Sequence, residues 1–235
     1  MGIIPPEAPF RVVSFNIKFA VEIDKAIALL AGEPTLAGAD IVLLQEMDEP
    51  GTRRIAAALG FGFVYSPATL HPQSKREFGN AILSRWPLRE PGRVNLPHDG
   101  RFGKTHRIAV AATVDIGGVP VRLYSVHMAT RVEISPGQRA DQMRAVLADA
   151  DRWNMKVILG GDLNDRAPGF VAEERGYAWL TKAEGRSSVA GRIDHLFVRG
   201  LPLDPLPDSG IVPDDSGASD HDPVWVTLPM SGPRR

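Results

Sequence analysis

Cysteine is missing from all 235 residues, which excludes disulfides, thiolate metal sites and cysteine nucleophiles and leaves the redox compartment unspecified. An excess of one charge is missing too. Lysine and arginine total 27 against 28 aspartates and glutamates, a formal net charge of -1, so no global field would hold the chain on nucleic acid or an anionic membrane. No apolar run approaches the roughly 20 residues that span a bilayer. The opening Met1-Gly2-Ile3-Ile4-Pro5-Pro6 lacks the basic and apolar regions of a secretory signal, and Gly2 lacks the Ser or Thr that myristoylation needs four residues later. A soluble, cytoplasmic, monomeric protein is the expectation. Nothing reads as a flexible linker, so residues 1–235 are expected to form a single domain with a core over about 10–228.

What is present is an alternation of strand-like and helix-like segments without internal repeat. Phe10 to Ile17, the apolar Asp40 to Leu44, Val64 to Ser66 and Asn80 to Ser84 read as strands. Ile108 to Ile116 and Val119 to His127 do as well, and Gly117-Gly118 between them predicts a hairpin. Lys156 to Gly160, Ile193 to Val198 and Pro223 to Leu228 complete the set. Helices are expected over Glu22 to Leu30, where Ile23, Ile27 and Leu30 share a face, and over Thr52 to Leu59, stopped by Gly60. A third opens at Ser135-Pro136-Gly137-Gln138, a cap, a first-turn proline and a capping-box glutamine. Mixed strands with hairpins and helices predict two packed sheets with helices outside.

Polar residues recur at the ends of these apolar runs: Asn16, Glu46, His127, Asp162 with Asn164, Asp194, and Asp220 beside His221. Singly, each has an ordinary explanation as a turn former, cap or solvated strand end. Jointly they require partners or a metal, because polar groups set against Val, Ile and Leu must be satisfied. An all-oxygen donor set would suit Mg²⁺, or Mn²⁺, better than zinc.

In order and wording, Phe-Asn16-Ile, Gln-Glu46, Phe-Gly-Asn80-Ala-Ile-Leu-Ser, His127, Gly-Asp162-Leu-Asn164, Ile-Asp194-His and Ser-Asp220-His221 resemble the endonuclease/exonuclease/phosphatase superfamily of deoxyribonuclease I-like, metal-dependent phosphohydrolases. The resemblance spans about Phe10 to Thr227. It implies a four-layer α/β/β/α sandwich of two mixed, largely antiparallel sheets flanked by helices, with the site at one edge of both sheets. It further implies Glu46, Asn16 and Asp220 as metal ligands, and Asp194 as the residue orienting His221 toward the scissile phosphate. Asp162 would orient the attacking water and Asn164 would donate to a phosphate oxygen. His127 sits where deoxyribonuclease-like members carry histidine and abasic-site endonucleases typically carry tyrosine. Asn80 and Arg107 are expected on the substrate phosphate. Glu77 is expected to pair with His127 and raise its pKa, favouring a general-acid role.

These readings converge on a Mg²⁺-dependent phosphodiesterase acting on a phosphate ester, nuclease-like or specific for a small or lipid phosphodiester. A phosphomonoesterase of the inositol phosphatase type is the alternative. Nucleic acid is a candidate partner that the net charge does not favour. A non-catalytic binding module on the same fold is the reading from a different class, and the complete set Glu46, Asp162, Asn164, Asp194, Asp220 and His221 argues against it.

Overall fold

The structure, a computed structural model, describes residues 9–70, 76–101, 105–204 and 206–229. The opening residues up to Ala8, and Lys104 of the basic loop between Arg101 and Arg107, lie outside that range. Local chemistry sets several element ends as expected. Ser135 Oγ accepts from Gln138 N and the Gln138 side chain accepts from Ser135 N, so the capping box that opens α4 (Pro136–Asp151) is complete. Gly117 and Gly118 take left-handed φ of 61° and 82° between β6 (Ile108–Ile116) and β7 (Val119–His127). Asp48 caps α3 (Glu49–Leu59) by accepting from Gly51 N, and Gly60 ends it in the left-handed region.

Two six-stranded mixed sheets result. In the first, β1 (Phe10–Asn16) is parallel to β2 (Ile41–Met47) and antiparallel to β12 (Val224–Leu228). β3 (Gly62–Leu70), β4 (Glu77–Ser84) and β11 (Asp208–Ile211) complete it, in the order β11-β12-β1-β2-β4-β3. The second runs β5-β6-β7-β8-β10-β9, where β5 is Arg89–Asn95, β8 Lys156–Asp162, β9 Ala178–Trp179 and β10 Asp194–Arg199. Only β1·β2 and β7·β8 are parallel among these pairings, so the sheets are mixed and largely antiparallel.

Burial explains the layering. Val12, Ile41, Leu43 and Ile82 from one sheet meet Val110, Ala112, Leu123, Ile158 and Leu196 from the other in a central core. The outer face of the first sheet packs Val13, Phe15, Val42 and Leu44 against Ile23, Ala26 and Leu30 of α1 (Ile23–Gly32), with Leu36 of α2 (Pro34–Ala37) and Ile55 of α3. The outer face of the second packs Tyr124, Val126 and Leu159 on Met143, Val146 and Leu147 of α4 and Ala172 of α5 (Ala167–Glu174). The α/β/β/α order is therefore as expected. Among the described residues no helix is long and apolar enough to cross a membrane.

Apolar burial is non-directional, so register between the sheets needs polar contacts. Gln45 Nε2 donates to Ser125 Oγ at 3.1 Å, and Ser125 Oγ donates to Leu44 O at 2.9 Å. Asn80 Nδ2 donates to Ile108 O at 3.0 Å and to Ser125 O at 3.1 Å. These buried bonds pin the two sheets together directly beneath the polar strand ends.

Candidate active site

Strand register assembles the site. In the second sheet His127 stands beside Asp162, and Asp162 beside Asp194, at neighbouring ends of β7, β8 and β10. In the first, Asn16 stands beside Gln45 at the ends of β1 and β2. Gly161, which precedes Asp162, has φ 147°, and a Cβ there would lie 1.9 Å from Val126 O. Only glycine lets β8 approach β7 that closely.

Glu46 is aimed by a backbone irregularity. Leu44 pairs with Ala81 and Met47 with Gly79, so Gln45 and Glu46 together oppose Asn80 in a bulge. Glu46 accordingly adopts φ 57°, a left-handed conformation that costs a non-glycine residue about 1 kcal/mol or more. The bulge turns Glu46 to the strand ends while Gln45 still faces the opposite sheet.

The two sheets meet through Asn16. Its Nδ2 lies 3.2 Å from Glu46 Oε1 and 3.2 Å from Asp162 Oδ2, and its Oδ1 accepts from Lys18 N. Asp162 Oδ1 accepts from Asn164 N at 2.8 Å, while Asn164 Nδ2 donates to Met128 O. His221 Nδ1 is 2.8 Å from Asp194 Oδ2, which also accepts from Ser187 Oγ at 2.7 Å. The other imidazole nitrogen of His221 faces Asp162 Oδ2 at 4.0 Å. Asp220 is half exposed, with Lys18 Nζ at 3.7 Å.

Electrostatics follow from burial and these partners. Burial works against charge on His221, but Asp194, Asp162 and Asp220 outweigh it and push its pKa up to about 10. Burial, reinforced by the charge of Asp194, pushes Asp162 up to about 7. Glu46 is raised as well, chiefly by burial. Asp194 keeps a buried oxygen, Oδ1, with no hydrogen-bond partner. Buried carboxylates short of compensating charge form a donor set that fits a divalent cation. Ligand atoms of Asp162, Asp194 and His221 lie within 4.8 Å of one another, so this cluster too could hold a metal. The sequence assigned those three to catalysis and metal binding to Glu46, Asn16 and Asp220. Spacing along a chain does not reveal that Asp162 and Asp194 are cross-strand neighbours.

Two expectations are corrected. Glu77 does not partner His127: it is exposed at the start of β4 and accepts from Tyr65 OH at 3.2 Å. Strand alternation puts the next residue, Phe78, against the imidazole instead, ring centroids 5.4 Å apart. Correspondingly, the His127 pKa is lowered, not raised, first by burial and then by the charges of Arg107 and His221. Asn80 does not face a phosphate, because its amide is committed to the carbonyls of the opposite sheet. Arg107 reaches the site but is buried in its floor, Nη1 at 2.7 Å from His127 Nε2 and Nη2 donating to Glu133 Oε2 at 3.1 Å.

Glu133 escaped the sequence reading. It accepts from Arg107, from Thr105 Oγ1 and from Thr130 N, and so fixes the guanidinium against His127. Ser187 and Ser219 were also missed; Ser219 Oγ donates to Asn16 O at 2.6 Å, tying the Asp220-His221 loop to β1. Their sequence signals are ordinary loop residues, and only the fold brings them to the site.

A model of the endonuclease/exonuclease/phosphatase family matches residues 13–221. No curated protein sequence matches at a significant level. Among solved structures, an endonuclease/exonuclease/phosphatase from Beutenbergia cavernae shares 22% identity at TM-score 0.74, covering 95% of this chain and 72% of that one. The human Nocturnin catalytic domain with bound sulfate anion aligns at TM-score 0.73 and 16% identity, covering 97% and 96%. Sphingomyelinase C from Streptomyces griseocarneus aligns at 0.72 and 17%, covering 94% and 99%.

Proposed function

The chain belongs to the endonuclease/exonuclease/phosphatase family, hydrolases of phosphoester bonds, and from that premise we propose that it is a single-domain, metal-dependent phosphodiesterase in which water displaces an alcohol from phosphorus. The observation that carries this reading is the convergence of His221 on Asp194, with Asp162 between His221 and Asn16, at the joined ends of both sheets.

Mg²⁺, with Mn²⁺ as the alternative, would be held by Glu46, with Asn16 and Asp220 supplying further oxygen donors. When bound, the ion polarises phosphoryl oxygens and offsets charge on the leaving group. Asp162, its pKa near neutrality, accepts the proton of the attacking water. His221, held protonated by Asp194, donates a charge-assisted hydrogen bond to a nonbridging phosphoryl oxygen. The Asn164 amide donates to Met128 O and, at 3.2 Å, to Asp162 Oδ2, and would exchange the second of these bonds for one to a phosphoryl oxygen. His127 is kept neutral by burial and Arg107, so its role is to position and hydrogen-bond rather than to protonate.

The test is hydrolysis of bis(p-nitrophenyl) phosphate and p-nitrophenyl phosphate side by side, with Mg²⁺ or Mn²⁺ and with chelator. Metal-dependent cleavage of the diester in preference to the monoester is expected; monoester preference would shift the assignment to a phosphomonoesterase.

A further inference from the structure

Helix α4 packs on the second sheet through Met143, Val146, Leu147 and Ala150, yet its first two turns bury Arg139 and Gln142 as well. Arg139 is only 2% exposed. Enclosing a guanidinium and an amide costs free energy that alkyl side chains in the same places would not. Their hydrogen bonds run to loops around the site strands. Arg139 Nη1 donates to Ile134 O at 2.7 Å and to Thr130 O at 3.3 Å, in the loop that follows His127. Its Nη2 donates to Asp165 Oδ2 at 2.8 Å, in the loop that follows Asp162. Gln142 Oε1 accepts from Ala129 N at 3.0 Å, and its Nε2 donates to Pro97 O at 2.8 Å.

Asp165 is equally committed. Its Oδ1 accepts from Ala167 N at 3.1 Å, and the half-exposed Arg131 brings Nε to 3.5 Å from Oδ2. Burial would raise its pKa, but the Ala167 N–H, Arg131 and Arg139 outweigh burial and hold it below the ordinary value, so it is a carboxylate at neutral pH. The residue before it, Asn164, has φ 54°, a left-handed backbone that a non-glycine residue keeps only where its surroundings fix it. The Asn164 amide is oriented by Met128 O, next to His127. The donor and the carbonyl that aims it thus stand on two loops that one guanidinium joins.

We propose that Arg139 and Asp165 are positioning residues for the reaction: the buried pair clamps the loop after β7 to the loop after β8, so that the Asn164 amide is held where a phosphoryl oxygen arrives. This rests on the phosphoester-hydrolase reading for what Asn164 meets, but the clamp itself does not require turnover. A buried ion pair contributes little net stability against apolar side chains of similar volume, so what this one supplies is placement. A guanidinium suits the task because its planar fork reaches two loops at once, which an ammonium does not.

Arg139→Met removes the clamp without stranding a buried charge, since Arg131 remains beside Asp165. On bis(p-nitrophenyl) phosphate with Mg²⁺, its kcat should fall about 10- to 100-fold while KM changes less than about twofold. Asn164→Gly, which keeps the left-handed backbone and loses the amide, should be slowed comparably. Adding Arg139→Met to Asn164→Gly should cost nothing further, because no amide is left to position. A merely structural clamp would slow both backgrounds equally, and that additivity would overturn the proposal, as would wild-type kcat in Arg139→Met. Amide exchange reads the clamp without turnover. Asn164 N–H, bonded to Asp162 Oδ1, should exchange about tenfold or more faster in Arg139→Met, with the amides of β7 and β8 unchanged; unchanged exchange at Asn164 would also overturn the proposal. Should Arg139→Met fail to fold, Arg139→Lys takes its place with the same expectations. If exchange quickens but wild type hydrolyses no ester, the clamp stands and the hydrolase reading falls; hydrolysis untouched by Arg139→Met gives the converse.

Discussion

His221 Nδ1 sits 2.8 Å from Asp194 Oδ2, and this contact joins a loop near the C-terminus to the first residue of β10. It sets both the charge and the direction of the imidazole. Asp194→Asn should therefore lower kcat by about 10²- to 10⁴-fold, the range of general acid–base contributions, with little change in KM. His221→Ala should cost as much alone as combined with Asp194→Asn, because the two act as a unit. Additive losses in the double variant would separate their roles.

Asp162 is held at a cost to the fold. Its carboxyl is buried beside Asp194 and raised to about 7, so folding favours its protonated form and loses stability as pH rises from its ordinary value toward neutrality. In chelator at pH 8, Asp162→Asn should melt higher than wild type, by about 2–4 °C for each kcal/mol of relief, while hydrolysis is lost. A lower melting temperature would mean that the Asn16 and Asn164 bonds to Asp162 outweigh its burial.

His195 gives acid sensitivity of the opposite sense. Burial lowers its pKa from 6.5 to about 4, so the folded state keeps it neutral. The unfolded chain takes up a proton below its ordinary pKa, and the stability contribution, complete above about 6.5, falls away as pH drops through about 4, by up to about 3 kcal/mol. Urea midpoints between pH 7 and pH 4 should show a flatter decline in His195→Gln than in wild type; parallel declines would exclude His195 as a source.

Asn80 and Glu133 divide stability from chemistry. Asn80→Ala removes the donor shared by two buried carbonyls of the opposite sheet and should destabilise by about 2 kcal/mol in urea melts, with KM unchanged. Glu133→Gln removes the charge that fixes Arg107 and should reduce kcat about tenfold or more while leaving most of the stability. If Asn80→Ala raised KM selectively, the phosphate role read from sequence would be restored.

Much of this was legible in the chain. The Ser135 capping box, the Gly117-Gly118 hairpin and the apolar runs ending in Asn16, His127 and Asp162 follow from local chemistry, and the order of the motifs implied the sandwich that is observed. β5 was not legible, because Arg89–Asn95 is an edge strand of exposed polar residues with a proline and a glycine and has no apolar alternation. Helix α5 was hidden by Pro168 and Gly169 in its first turn. The partner of His127 was misread because strand parity decides whether Glu77 or Phe78 faces it, and parity depends on a register that sequence does not display.

The most direct measurement is phosphodiester hydrolysis by protein stripped of metal and then resupplied with Mg²⁺, in wild type, Glu46→Gln and His221→Ala. Wild type should lose activity on stripping and regain it on resupply, and neither variant should recover more than about one part in a hundred. Metal-independent hydrolysis by wild type, or full recovery in His221→Ala, would contradict a centre built on Glu46, Asp162 and the Asp194–His221 pair.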